Sequence, residues 1–161
     1  MRCAIALAVL GVVTLAVAGQ DKEPAKKDRP VAPDKDLLAG VEDKKSVQGA
    51  AENKNEYTAY CYLVLHAQEA PAAALAKAAR KDVSYAKLME DPAKYRGEPL
   101  ALKGRLRRLV KMDAPKGLVN DGIKSLYEGW IFAENEEGAN PYCVIFTEVP
   151  QGIELGEKTY Y

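Results

Sequence analysis

Apolar residues are spread along this chain in four different ways. From Cys3 to Gly19 they run on without a charge, after the short basic start Met1-Arg2. From 20 to 52 they are sparse among Lys, Asp, Glu, Ala and Pro, with Leu37-Leu38 standing as a pair. From 53 to 97 they recur at helical spacing, and from 98 onward they alternate with polar residues as in a strand with one buried face.

The helical stretch divides at its own punctuation. Asn53 with Glu56 three residues on has the spacing of a capping box, with Asn in place of Ser or Thr. Tyr57, Tyr60, Cys61 and Val64 then fall on one helical face, which predicts a helix running to about Glu69. Pro71 suits the first turn of a second helix over the Ala-rich run 72–80. A short third helix is predicted from Ser84 to Glu90. Asp91-Pro92 ends it and starts one more turn, which Gly97 closes.

In the alternating stretch, Leu100, Leu102 and Leu106 point one way and Lys103, Arg105 and Arg107 the other. The next apolar residue is Leu109, so the alternation slips by one at Arg107-Arg108. A β-bulge produces such a slip, and with Gly104 it predicts a long, bent first strand. A turn is expected at 113–117, then a loop through 120–122. Ser125 to Ala133 and Tyr142 to Val149 read as strands joined in a hairpin across 134–141. Residues 156–161 read as the opening of a fourth strand. The fold class is α+β: a helical N-terminal lead-in, then a small antiparallel sheet or partial barrel, incomplete at its C-terminal end.

The apolar start falls short of the about 20 residues that span a bilayer as a helix. Ala16-Val17-Ala18 fits the small-x-small pattern of a signal-peptidase site, and Gln20-Asp21-Lys22-Glu23 follows it. We therefore expect a cleaved secretory signal over 1–18 and a secreted or periplasmic chain with no further membrane span. The alternative is a retained N-terminal anchor. Segment 19–52 carries too little apolar surface to offset its chain entropy and is expected to be a disordered charged linker. Segment 53–97 is then the helical part and 98–161 the β part.

The formal net charge is zero, which argues against a protein that binds nucleic acid by bulk charge. Charge is nevertheless segregated. Lys94, Arg96, Lys103, Arg105, Arg107 and Arg108 crowd the first strand and its approach, while acidic residues crowd 121–157. Two readings follow: a basic strip for an anionic ligand, or opposite charges paired across neighbouring strands. Cys61 and Cys143 could bridge in an oxidising compartment, and the sequence leaves a disulfide and two separate thiols both open.

The lead-in Asp91-Pro92-Ala93-Lys94-Tyr95-Arg96-Gly97, the bent strand Leu100-Ala101-Leu102-Lys103-Gly104-Arg105-Leu106 and the hairpin of Trp130 and Phe146 together resemble the start of an OB-fold. The resemblance covers roughly residues 91–149. It is closest to secreted bacterial OB-like domains related to the tRNA-anticodon-binding type, and it implies a binding module rather than tRNA recognition. An OB barrel has five strands, whereas three firm strands and a stub are legible here. Either helices cover an open sheet, or the chain lacks a strand, or a partner chain supplies the missing edge.

On that resemblance the second strand presents ligand-stacking aromatics. Tyr127, Trp130 and Phe132, with Arg105 and Arg107 on the neighbouring strand, are the candidate ligand-binding residues. Trp130 and Phe132 share a face and Tyr127 lies on the other; core packing is the competing role for all three. No catalytic constellation is legible. His66 is the one histidine and reads as an ordinary half-buried or surface helical residue. Ser46, Ser84 and Ser125 lack a nucleophile-elbow context. Catalysis would need carboxylates alone, for instance Glu128 with Glu148 on neighbouring strands, a pair that reads as a surface coincidence, and Glu134, Glu136, Glu137 and Asn140 do not have EF-hand spacing. No metal or cofactor is implied. The expectation is a secreted, non-catalytic module that binds a protein, peptide or envelope glycan. The alternative is an assembly component whose open sheet edge a partner chain completes.

Overall fold

The computed structural model describes residues 31–43, 53–133, 140–149 and 151–160. The expected signal segment, the rest of the linker and the loop 134–139 lie outside the described residues. Helix α1 spans Lys54–Glu69, and Asn53 caps it, its side chain accepting from the Glu56 amide at 3.1 Å. The stripe of Tyr57, Tyr60, Cys61 and Val64 meets Leu118, Ile123 and Leu126 in one core cluster. Helix α2 (Ala72–Ala78) follows Pro71, which stands just ahead of the first turn. Helix α3 (Tyr85–Glu90) is capped by Ser84, and α4 (Pro92–Tyr95) by Asp91.

The lead-in from Asp91 to Gly97 is a corner, and each of its residues has a physical task. Asp91 accepts from the Lys94 amide, and Pro92 sits where its missing N–H costs nothing. Tyr95 is buried with Leu88, Leu100 and Tyr142, under the guanidinium of Arg80 at 5.2 Å from its ring centre. Arg96 pairs with Asp43. Gly97 has φ of 77°, and a Cβ there would come within 2.7 Å of Pro33 and 2.8 Å of Leu38.

Those contacts correct the linker reading for part of its length. Residues 31–43 form a strap across α1 and the corner, with a 3-10 turn at Asp36–Leu38 and Leu38 only 3% exposed. Tyr62 Oη accepts from the Asp34 amide at 2.7 Å, and His66 Nε2 donates to the Val31 carbonyl at 3.1 Å. A segment too polar to fold alone is ordered here by one buried leucine and by hydrogen-bonding groups that α1 already presents. His66 is accordingly buried, not on the surface.

Strand β1 (Gly104–Asp113) pairs antiparallel with β2 (Ser125–Ala133), which pairs with β3 (Pro141–Phe146); β4 (Gly156–Tyr160) pairs on the other side of β1. The sheet order is β3-β2-β1-β4, and it does not close among the described residues. The register shifts between Leu106 and Arg108 against both neighbours, the bulge expected from the sequence. Strand β1 starts at Gly104 rather than Glu98. Leu100 instead makes a parallel bridge with Arg80, whose amide donates to Pro99 O at 2.9 Å and whose carbonyl accepts from Ala101 N at 2.8 Å.

Two further departures are local. The turn and loop expected between β1 and β2 contain a helix, α5 (Lys116–Asn120). Pro115 starts it, and Leu118 is fully buried beneath α1, an anchor that a run of turn-forming residues does not advertise. Strand β3 stops at Phe146 rather than Val149. Glu148 therefore lies beyond the strand, and Glu128 faces Ile145 instead.

Directly paired residues share a face of the sheet. One face carries Leu106, Leu109, Gly129, Tyr142 and Val144, and its interior is tight. A Cβ on Gly129 would meet Phe146 at 2.8 Å and Leu106 at 3.0 Å. Gly104 is more constrained still, because its Cβ would lie 2.4 Å from the Phe132 carbonyl oxygen. Backbone cannot yield as a side-chain tip can. Gly104→Ala is therefore expected to cost about 1–3 kcal/mol of stability, the usual range for overpacking. Urea unfolding checks this, and an unchanged midpoint would contradict the close approach.

Candidate functional site

The other face of the sheet has two halves. At one end Leu126 and Ile145 pack under α1 and α5 with Tyr57, Tyr60 and Cys61. At the other end the register sets Arg105 opposite Phe132 and Arg108 opposite Trp130. The bulge turns Arg107 to the same side, where its guanidinium carbon lies 5.3 Å from the Phe132 ring centre. The three arginines are exposed, and Trp130 and Phe132 are half-buried. A guanidinium over an aromatic ring at an exposed site contributes about 0.5–1 kcal/mol, enough to bias the side chain but not to bury it.

Trp130 is fixed in orientation. Its indole Nε1 donates to Glu128 Oε1 at 2.8 Å, two residues back on the same face. The result is a short platform of two flat rings, edged by three guanidiniums. Opposite-charge pairing across β1 and β2, one of the two sequence readings of the segregated charge, is not what the register shows. The cations of β1 stand across from aromatic residues of β2, including Lys111 opposite Tyr127. Among the described residues, the acid in register with a β1 cation is Glu157 of β4, opposite Arg108.

Four of the five residues singled out by sequence thus come together: Arg105, Arg107, Trp130 and Phe132. Tyr127 does not join them; it shares the opposite face with Phe146 and Lys111. Sequence reasoning missed Arg108 and Glu128 as members of the platform. The slip at Arg107-Arg108 was the available signal for Arg108, because a bulge sends two successive side chains toward one side.

Cys61 and Cys143 are not joined in a disulfide. Burial is the main cause that pushes the Cys61 thiol above its ordinary range, and a hydrogen bond with Tyr57 works in the opposite sense. Cys143 stands opposite Trp130 on the platform face. Tyr60 lies near both thiols. Burial, reinforced by Cys61, Cys143 and Glu128, pushes its phenol up to about 12.

His66, the one histidine, is committed to the strap. Among the described residues no group of three or more His, Cys, Asp or Glu is arranged to hold a metal ion. No helix among them is long and apolar enough to cross a membrane. No family model, curated protein or solved structure matches this chain.

Tyr60 gives a pH test of the α1–sheet contact. A phenol held above its unfolded value of 10 binds its proton more tightly in the folded state. Its contribution to stability is fully present below about pH 10 and is lost as pH rises through about 12. Unfolding free energies measured across that interval should fall with pH, and Tyr60→Phe should flatten the fall. An identical slope in the variant would remove Tyr60 from the contact.

Proposed function

We propose that this chain is a secreted, non-catalytic, OB-like binding module that takes a protein, peptide or envelope glycan on the β1–β2 platform. The observation that carries the proposal is the convergence of Arg105, Arg107 and Arg108 with Trp130 and Phe132 on one face, beside the half that α1 covers. Planar rings supply apolar contact at little cost in side-chain entropy. Guanidiniums supply directed hydrogen bonds to anionic or carbonyl groups. Trp130 is already oriented by Glu128, so less order has to be gained on binding.

The OB-like part of the reading draws on a long bent first strand, paired on both sides, in a sheet of four strands where an OB barrel has five. Secretion draws on the uncharged run Cys3–Gly19 followed by a charged segment. The absence of catalysis in the reading draws on His66, which is buried and spent on a backbone carbonyl, and on Glu148, which is not across from Glu128.

Probing arrays of peptides and bacterial envelope glycans with the intact chain and with a Trp130→Ala/Phe132→Ala double variant tests the proposal. Ligands retained by the chain should be lost from the double variant, by at least tenfold in affinity, while its far-UV circular dichroism is unchanged. Ligands retained equally by both would place the binding surface elsewhere.

A further inference from the structure

The strap over 31–43 crosses a groove between α1 and the corner, and it is attached differently from the rest of the molecule. Most of its residues are exposed or half-buried, and Leu38 alone among them is buried. Among the described residues, both core clusters are complete without it. One side of α1 packs Tyr57, Tyr60, Cys61, Val64 and Leu65 toward the sheet, and Tyr95 joins the corner to Leu88, Leu100 and Tyr142. Tyr62 and His66, on the other side of α1, face the strap. The walls of the groove are therefore held by contacts that the strap does not make.

What the groove reads is chiefly main chain. Tyr62 Oη accepts from the Asp34 amide at 2.7 Å, and His66 Nε2 donates to the Val31 carbonyl at 3.1 Å. Any extended segment supplies those two groups. Three side chains add a sequence preference. Pro33 and Leu38 close over Gly97, where a Cβ would come within 2.7 Å of Pro33 Cγ and 2.8 Å of Leu38 Cδ1, so the missing side chain makes the socket. Five residues after Leu38, Asp43 pairs with Arg96. One buried leucine and a few polar anchors must offset the ordering of the whole strap. A segment held by so little buried surface opens locally, without global unfolding.

From these observations we infer that the groove between α1 and the corner is a peptide-docking site that the strap occupies in cis. Its ligand is an extended segment of a partner protein with the strap's own chemistry: Pro, then Leu five residues on, then Asp or Glu five further. The tether keeps the strap at a high effective concentration beside the groove, so a free segment enters only as the strap releases.

The probe is a fluorescein-labelled peptide of residues 31–43, read by anisotropy against the full chain and against its Leu38→Ala variant, whose strap has lost its anchor. The expected result is saturable binding to the variant, at least tenfold tighter than to the unsubstituted chain. The same peptide carrying Leu38→Ala keeps every charge and should bind the variant at least tenfold more weakly. Equal binding of the two peptides would reduce the contact to charge and overturn the inference. Equal affinity of the 31–43 peptide for the two chains, or no binding to the variant, also overturns it. Amide exchange in the unsubstituted chain is a second test that does not depend on how the variant folds. The Asp34 amide should exchange at least tenfold faster than the paired amides of β1 and β2. Exchange at their rate, or loss of cooperative unfolding in the Leu38→Ala variant, would make the strap part of the core and overturn the inference.

Discussion

One extra residue in β1 governs this structure. Without the slip between Leu106 and Arg108, strict alternation would carry either Leu106 or Leu109 to the outer face. With it, both leucines are buried, and Arg105, Arg107 and Arg108 gather on the outer side. The bulge also bends the strand, and a bent strand can pair with β2 on one side and β4 on the other. The core and the platform are therefore two consequences of one irregularity. A change that repaired the alternation would damage both.

The second organising feature is the corner from Asp91 to Gly97. It joins the helical lead-in to the sheet, burying Tyr95 against Leu100 and Tyr142. It also receives the strap through Arg96 and Gly97. Arg80 clamps the same region. It lies over Tyr95, bridges Leu100 through its backbone, and bonds Asp82 and Glu98 at 2.9 and 3.0 Å. Asp82 is exposed and the pair with Glu98 is only half-buried, so their role is orientation more than stability. The corner and its clamp hold the start of β1 where Gly104 can approach the Phe132 backbone.

Much of this was legible in the chain. The cap at Asn53, the stripe on α1, the Asp91-Pro92 restart, the bulge and the bounds of β2 all rest on local rules of spacing and chemistry, and the structure shows each of them. Features that depend on distant partners were not legible. Nothing near residues 31–43 announces that Leu38 will fill a site beside Gly97, because that site is built by residues much later in the sequence. The same holds for α5, whose reason to exist is the burial of Leu118 under α1. Of the platform, Trp130, Phe132, Arg105 and Arg107 were visible as candidates. The register, which decides that aromatics and not acids face the arginines, could not be read from charge blocks. The segregation of charge suggested pairing between strands, but the acid within β2, Glu128, stands opposite Val110 rather than a cation of β1.

The measurement that bears most directly on this account is the cross-strand pairing of β1 and β2 by nuclear Overhauser contacts between backbone protons. The account requires Leu106 opposite Ile131 and Arg108 opposite Trp130, with Arg107 skipped. Contacts of Arg107 directly opposite Trp130, in an unbroken register, would contradict it, for the leucine core and the arginine platform could not then occupy opposite faces of the same sheet.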